Sequence, residues 1–216
     1  MHIKLLLSIT LITLIQHVAA QEYLALGDSY TIGESVVESD RWPNQLAHAL
    51  KGSPLELNRV KIIAKTGWTT SELIEGIKQQ QINQKYDMVS LLIGVNNQYR
   101  GQSIEQFEAE LIELIQQAIS FSKKGKEAVF LVSIPDWGVT PFASDGNTSQ
   151  IAKAIAAFNA VVQKQAKQFQ LPFINITPIS KRAKKDLTLL AKDQLHPSGK
   201  MYGLWVDKIK KTLLKY

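Results

Sequence analysis

The chain has 216 residues, 25 Lys and Arg against 19 Asp and Glu, a net charge of +6, 45% hydrophobic residues and no cysteine. That composition fits one domain with a sizeable core and excludes both a disulfide scaffold and a thiolate metal site. The positive excess is mild and carries no nucleic-acid motif, so nucleic acid is not an expected partner.

Residues 1–20 begin with a short basic head, Met1 to Lys4, followed by an uncharged apolar stretch, Leu5 to Ile15. That stretch is too short to span a bilayer, and small residues at Val18 and Ala20 suit cleavage before Gln21. We read 1–20 as a signal peptide and 21–216 as the mature domain. The expected location is therefore secreted or periplasmic, without stable membrane insertion of the mature chain.

Apolar runs of strand length then alternate with segments of helical period. Tyr23–Leu26 is the first such run, and it stops abruptly at Gly27-Asp28-Ser29. Trp42–Leu50 has helical period and contains His48, read as a partly exposed structural residue. The next strand, Val60–Ala64, ends near Thr66-Gly67-Trp68 and is followed by a helix over Thr70–Gln81. Met88–Ile93 is a strand ending at Gly94-Val95-Asn96-Asn97. Ile104–Ser122 places Phe107, Leu111, Leu114, Ile115 and Ala118 on one stripe, with Ser103 as its cap. Ala128–Ile134 and Phe173–Ile176 are the remaining strands, and helices over Ser149–Gln168 and Ser198–Leu214 complete the pattern. The basic run Lys181-Arg182-Ala183-Lys184-Lys185 reads as a solvated helical face.

Continuous apolar strands alternating with helices predict an α/β fold, an open, doubly wound, five-stranded and mainly parallel sheet covered on both faces. Working residues in such sheets gather beyond the carboxyl ends of the strands. The strand ends here carry a serine, a glycine and an asparagine. A serine hydroxyl needs a base, and the base needs an acid to fix its tautomer. His2 and His17 lie in the leader and His48 in an apolar helix, which leaves His196 in the stretch Asp193-Gln194-Leu195-His196. Asp193 can reach one ring nitrogen while the other faces Ser29. Gly67 and Asn96, with the amide of Ser29 itself, are candidate donors for an oxyanion. Asp28 is read as organising the turn that presents Ser29.

These blocks resemble the SGNH hydrolases, also called GDSL esterases or lipases. Gly27-Asp28-Ser29 looks like the first block of that family, Gly67 the second, Gly94 to Asn97 the third, and Asp193 to His196 the final Asp-x-x-His. The resemblance covers nearly all of 21–216. It implies a flavodoxin-like three-layer α/β/α fold and hydrolysis of esters or related acyl groups without metal or cofactor. One position departs: Asn97 stands where the family commonly has aspartate, which bears on substrate preference or local hydrogen bonding.

The resulting expectation is a serine esterase with the triad Ser29, His196 and Asp193. The expected substrate is a small-molecule, glycan or lipid ester, touched by Asn97, Trp68, Tyr99 and Trp137, with Phe142 in the same rim loops. Two alternatives remain open at this point. One is acetyl or acyl transfer to or from glycans; the other is a non-catalytic carbohydrate-binding module. Oligomeric state is not readable.

Overall fold

The computed structural model describes residues 21–143 and 147–215; the leader at 1–20 lies outside the described residues. β1 (Glu22–Gly27) can lie inside the sheet because nearly every side chain in it is apolar and can be buried on either face. It is followed by the single-turn helix α1 (Ser29–Ile32), then α2 (Trp42–Ala49), β2 (Arg59–Ala64), α3 (Thr70–Gln79) and β3 (Met88–Leu92). The remainder is α4 (Val95–Tyr99), α5 (Ile104–Phe121), β4 (Val129–Val132), α6 (Thr148–Phe169), β5 (Phe173–Ile174), α7 (Thr177–Ser180) and α8 (Gly199–Leu213).

All strand pairs are parallel and the order is β2-β1-β3-β4-β5. The direction of winding therefore reverses at β1, and right-handed crossovers place helices on both faces. α2 packs on α8, while α5 packs on both α3 and α6. This is the three-layer α/β/α arrangement expected, with a sheet that is wholly parallel. The core joins β1, β3 and β4 to Trp42, Phe107, Leu114 and Trp205, all fully buried.

Local sequence sets the helix starts. Thr69 and Glu72 form a capping box on α3, Ser103 caps α5 through the Gln106 N–H, and Ser198 caps α8. β4 and β5 are shorter than their apolar runs. Asn159 takes both backbone groups of Ile134, and Ser133 Oγ accepts the Ile176 N–H, so side chains replace the ladder there. Among the described residues, no helix is long and apolar enough to cross a membrane.

Candidate active site

Register aligns the strand ends that matter. Gly27 pairs with Ala64 on one side and with Leu92 on the other, so Ser29, Gly67 and Asn96 begin from one line across the sheet. This is the crevice where winding reverses, the usual ligand position in open parallel sheets. Gly27 is the last residue of β1, and a Cβ there would clash with the Leu92 carbonyl and the Thr31 hydroxyl. The chain can then turn tightly, and Asp28 caps α1 by accepting the Tyr30 N–H at 3.0 Å.

A cavity of about 170 Å³ opens at this point, with Ser29, Gly67, Asn96 and His196 all in its lining. Ser29 and His196 are both buried, 4% and 8% exposed. Asp193 Oδ2 lies 2.8 Å from His196 Nδ1, and Asp193 Oδ1 accepts the N–H groups of Leu195 and His196 at 3.0 Å each. The carboxylate thus fixes its own loop as well as the ring, leaving Nε2 for the cavity. No hydrogen bond joins Ser29 Oγ to the ring among the described residues; the two groups meet across the cavity they share.

Electrostatics separate the partly exposed Asp193 from the fully buried Asp28. Burial alone would raise the Asp193 pKa, but bonds from Ser35, the Leu195 N–H and His196 outweigh it and hold the group down at about 2. Asp28 moves the other way. Burial pushes it up to about 7, offset only in part by backbone N–H groups, and its Oδ2 has no partner. Tyr30, beside His196 at 5.5 Å between ring centroids, is held in its neutral form by burial and by the charges of Asp28, Asp136 and Asp193.

The expected oxyanion donors stand as follows. Gly67 has φ of +87°, open to a glycine, and its carbonyl accepts Arg100 Nη2 at 2.5 Å. Its own N–H has no backbone acceptor among the described residues. Asn96 Nδ2 donates to the Trp68 carbonyl at 2.9 Å, which fixes the amide plane beside the cavity and leaves its second hydrogen free for a ligand.

Two of the expected substrate contacts, Trp68 and Asn97, do not line this cavity. Trp68 lies against α3, where a Cβ at Gly76 would overlap its ring, so it anchors the loop instead of lining the cavity. Asn97 is fully buried, with its amide joined to Thr70 and Gln102. Tyr99 and Trp137 do line the cavity, together with Phe142, and the three rings contact one another. Trp137 Nε1 donates to Gln98 Oε1 at 2.8 Å, tying the loop after β4 to α4. Val95 and Leu195 add apolar surface that sequence reasoning missed, although each adjoins a residue it had singled out. Ser35 and Arg100 were also missed, because their partners are distant in sequence.

The GDSL-like lipase/acylhydrolase family matches residues 25–204. No curated protein sequence matches the chain. Among solved structures, the chain is similar to a member of the lipolytic G-D-S-L family from Veillonella parvula DSM 2008, at 16% identity and TM-score 0.72, covering 91% of this chain and 100% of that one. It is also similar to the psychrotrophic esterase EstA from Pseudoalteromonas sp., described as inhibited by monoethylphosphonate, at 16% identity and TM-score 0.68, covering 90% and 97%. A third is Axe2, an acetylxylan esterase from Geobacillus stearothermophilus, at 19% identity and TM-score 0.68, covering 89% and 94%. At these identities the structural likeness is one of fold.

Proposed function

The chain belongs to the GDSL-like lipase/acylhydrolase family and is a carboxylic ester hydrolase, and from that premise we propose that Ser29, His196 and Asp193 carry its chemistry. Ser29 Oγ attacks the acyl carbonyl while His196 Nε2 takes the hydroxyl proton. The negative oxygen that forms is received by the N–H groups of Ser29 and Gly67 and by Asn96 Nδ2. Collapse expels the alcohol, which receives the proton from His196, and water then releases the acyl group by the same steps in reverse. Asp193 holds the ring and its positive charge throughout. The single observation that carries this reading is the cavity in which Ser29, His196, Gly67 and Asn96 meet, with Asp193 behind the ring.

The substrate end of the cavity is apolar and aromatic, and none of its lining residues is Asp, Glu, Lys or Arg. This supports a neutral ester, because a charge would be desolvated there without a partner. The exposed faces of Tyr99 and Phe142 support a second reading, in which the acyl group is acetyl and the alcohol is a sugar stacked on those rings. The basic and apolar leader supports export. Ser29→Ala should lower ester hydrolysis roughly a thousandfold or more and abolish labelling by a fluorophosphonate. Undiminished turnover in that variant removes Ser29 from the mechanism. A panel of esters of rising chain length, run beside acetylated xylan fragments, separates the two substrate readings by where activity peaks.

A further inference from the structure

Ser35 occupies a backbone conformation for which serine is a poor choice. Its φ is +65°, a left-handed region that glycine enters freely and residues with a Cβ enter only at a cost, as Gln81, Gln170 and Gln194 also do here. Strain of this kind persists where surrounding contacts hold it, and the Ser35 side chain makes one clear contact. Ser35 Oγ donates to Asp193 Oδ2 at 2.6 Å, across 158 positions of chain, and that same oxygen faces His196 Nδ1.

The backbone leading to Ser35 is folded onto the nucleophile's own residue. The N–H groups of Gly33 and Glu34 both donate to the Ser29 carbonyl, each at 3.0 Å. The neighbouring residue reaches the other side of the site, since Glu34 accepts the Thr66 hydroxyl beside Gly67. One dipeptide therefore joins the nucleophile segment to the acid–base loop through residue 35 and to the oxyanion loop through residue 34. Neither residue lines the cavity, so neither is placed to touch substrate.

We propose that Ser35 is a positioning residue: its hydroxyl ties Asp193 to the segment bearing Ser29, and so sets where the imidazole of His196 stands relative to the nucleophile. This rests on the reading that Asp193 and His196 act on Ser29. Without the hydroxyl, the carboxylate keeps its two backbone donors and the ring, but the loop loses its tether to α1. The ring is then free to sample orientations that miss Oγ, which lowers kcat and leaves ground-state binding alone.

The test compares Ser35→Ala and Ser35→Gly with the parent, using Asp193→Asn as reference. The readouts are kcat and KM for a soluble ester, the thermal midpoint, and the low-field proton NMR signal of the imidazole Nδ1–H. Both Ser35 variants should lose roughly three- to tenfold in kcat, the worth of one hydrogen bond, with KM unchanged and the Nδ1–H signal shifted or broadened by exchange. Ser35→Gly should be at least as thermostable as Ser35→Ala, because glycine relieves the left-handed strain; equal loss of kcat in both then assigns the effect to the hydroxyl. Unchanged kcat in both variants, alongside a large loss in Asp193→Asn, overturns the role of Ser35 while keeping the triad. A rise in KM with kcat preserved also overturns it, by making Ser35 a substrate contact. If Asp193→Asn itself retains full kcat, the acid–base reading falls and the proposal with it.

Discussion

Gly94 stands where β3 hands over to α4, with φ of +125° and no space for a side chain. A Cβ there would lie 2.7 Å from Phe107 Cε2 and 2.8 Å from Ile134 Cδ1. Gly94→Ala combines backbone strain with overpacking and should cost about 2–4 kcal/mol in urea unfolding; an unchanged midpoint would mean the junction relaxes freely. Single residues of this sort differ in how openly the sequence displays them. His196 can be found by elimination and Asp193 by its spacing, because their contact closes within one turn of backbone. Ser35 and Arg100 cannot, since their partners lie 158 and 33 positions away. Trp68 is ambiguous for another reason: an aromatic beyond a strand end looks the same whether it faces the rim or fills the space left by Gly76.

At the scale of elements, α4 works as a fastening for the loop that carries Gly67. Asn96 and Arg100 hold the carbonyls of Trp68 and Gly67, and Asn97 accepts the Thr70 N–H at 3.1 Å. The asparagine at 97, where the family commonly has an acid, follows from proton counting. The one hydroxyl proton of Thr70 goes to Glu110 on α5, so Thr70 Oγ1 must accept, and Asn97 Nδ2 donates to it at 2.6 Å and to Gln102 Oε1 at 2.7 Å. An aspartate could donate neither bond and would compete with Glu110 for the same proton. Asn97→Asp should therefore destabilise the protein by about 1–3 kcal/mol. Glu110→Gln should repair part of that loss, giving a coupling of about 0.5–3 kcal/mol in a double-mutant cycle read by denaturant unfolding. Strict additivity would disprove the shared proton. Long elements were readable because their apolar runs and stripes are long enough to show a period. α1, α4 and α7 span four or five residues each, too few for one. β4 and β5 were overextended because apolar side chains continue after Asn159 and Ser133 have taken over the backbone bonds.

For the molecule as a whole, alternation of apolar runs and helical stripes reveals layers and parallel strands, but not the order in which strands lie side by side. That order makes the site, because reversal at β1 brings together three strand ends and the distant loop at 193–196. It also buries an acid, and the consequence is global. Asp28 is raised to about 7 in the folded chain, against about 3.9 when unfolded, so the folded state binds the extra proton between those values. Its contribution to stability is fully present below about pH 4 and is lost as pH rises through 7. Asp193 has the opposite sign: held at about 2, it contributes stability above about pH 4 that is lost as pH falls through 2. Asp87 and Glu72, lowered by Lys123 and by Thr69 with Arg100 against the cost of their burial, act in the same direction as Asp193. On these shifts stability should peak on the acid side, at about pH 4–5. Melting midpoints measured from pH 3 to 9 should fall on both sides of it. Asp28→Asn keeps a side-chain oxygen for the Tyr30 N–H while removing the titration, so it should flatten the slope between about pH 4 and 7 and leave the acid limb in place. A parent midpoint that is flat across that interval, or a slope that survives in Asp28→Asn, would assign the pH response to some other group.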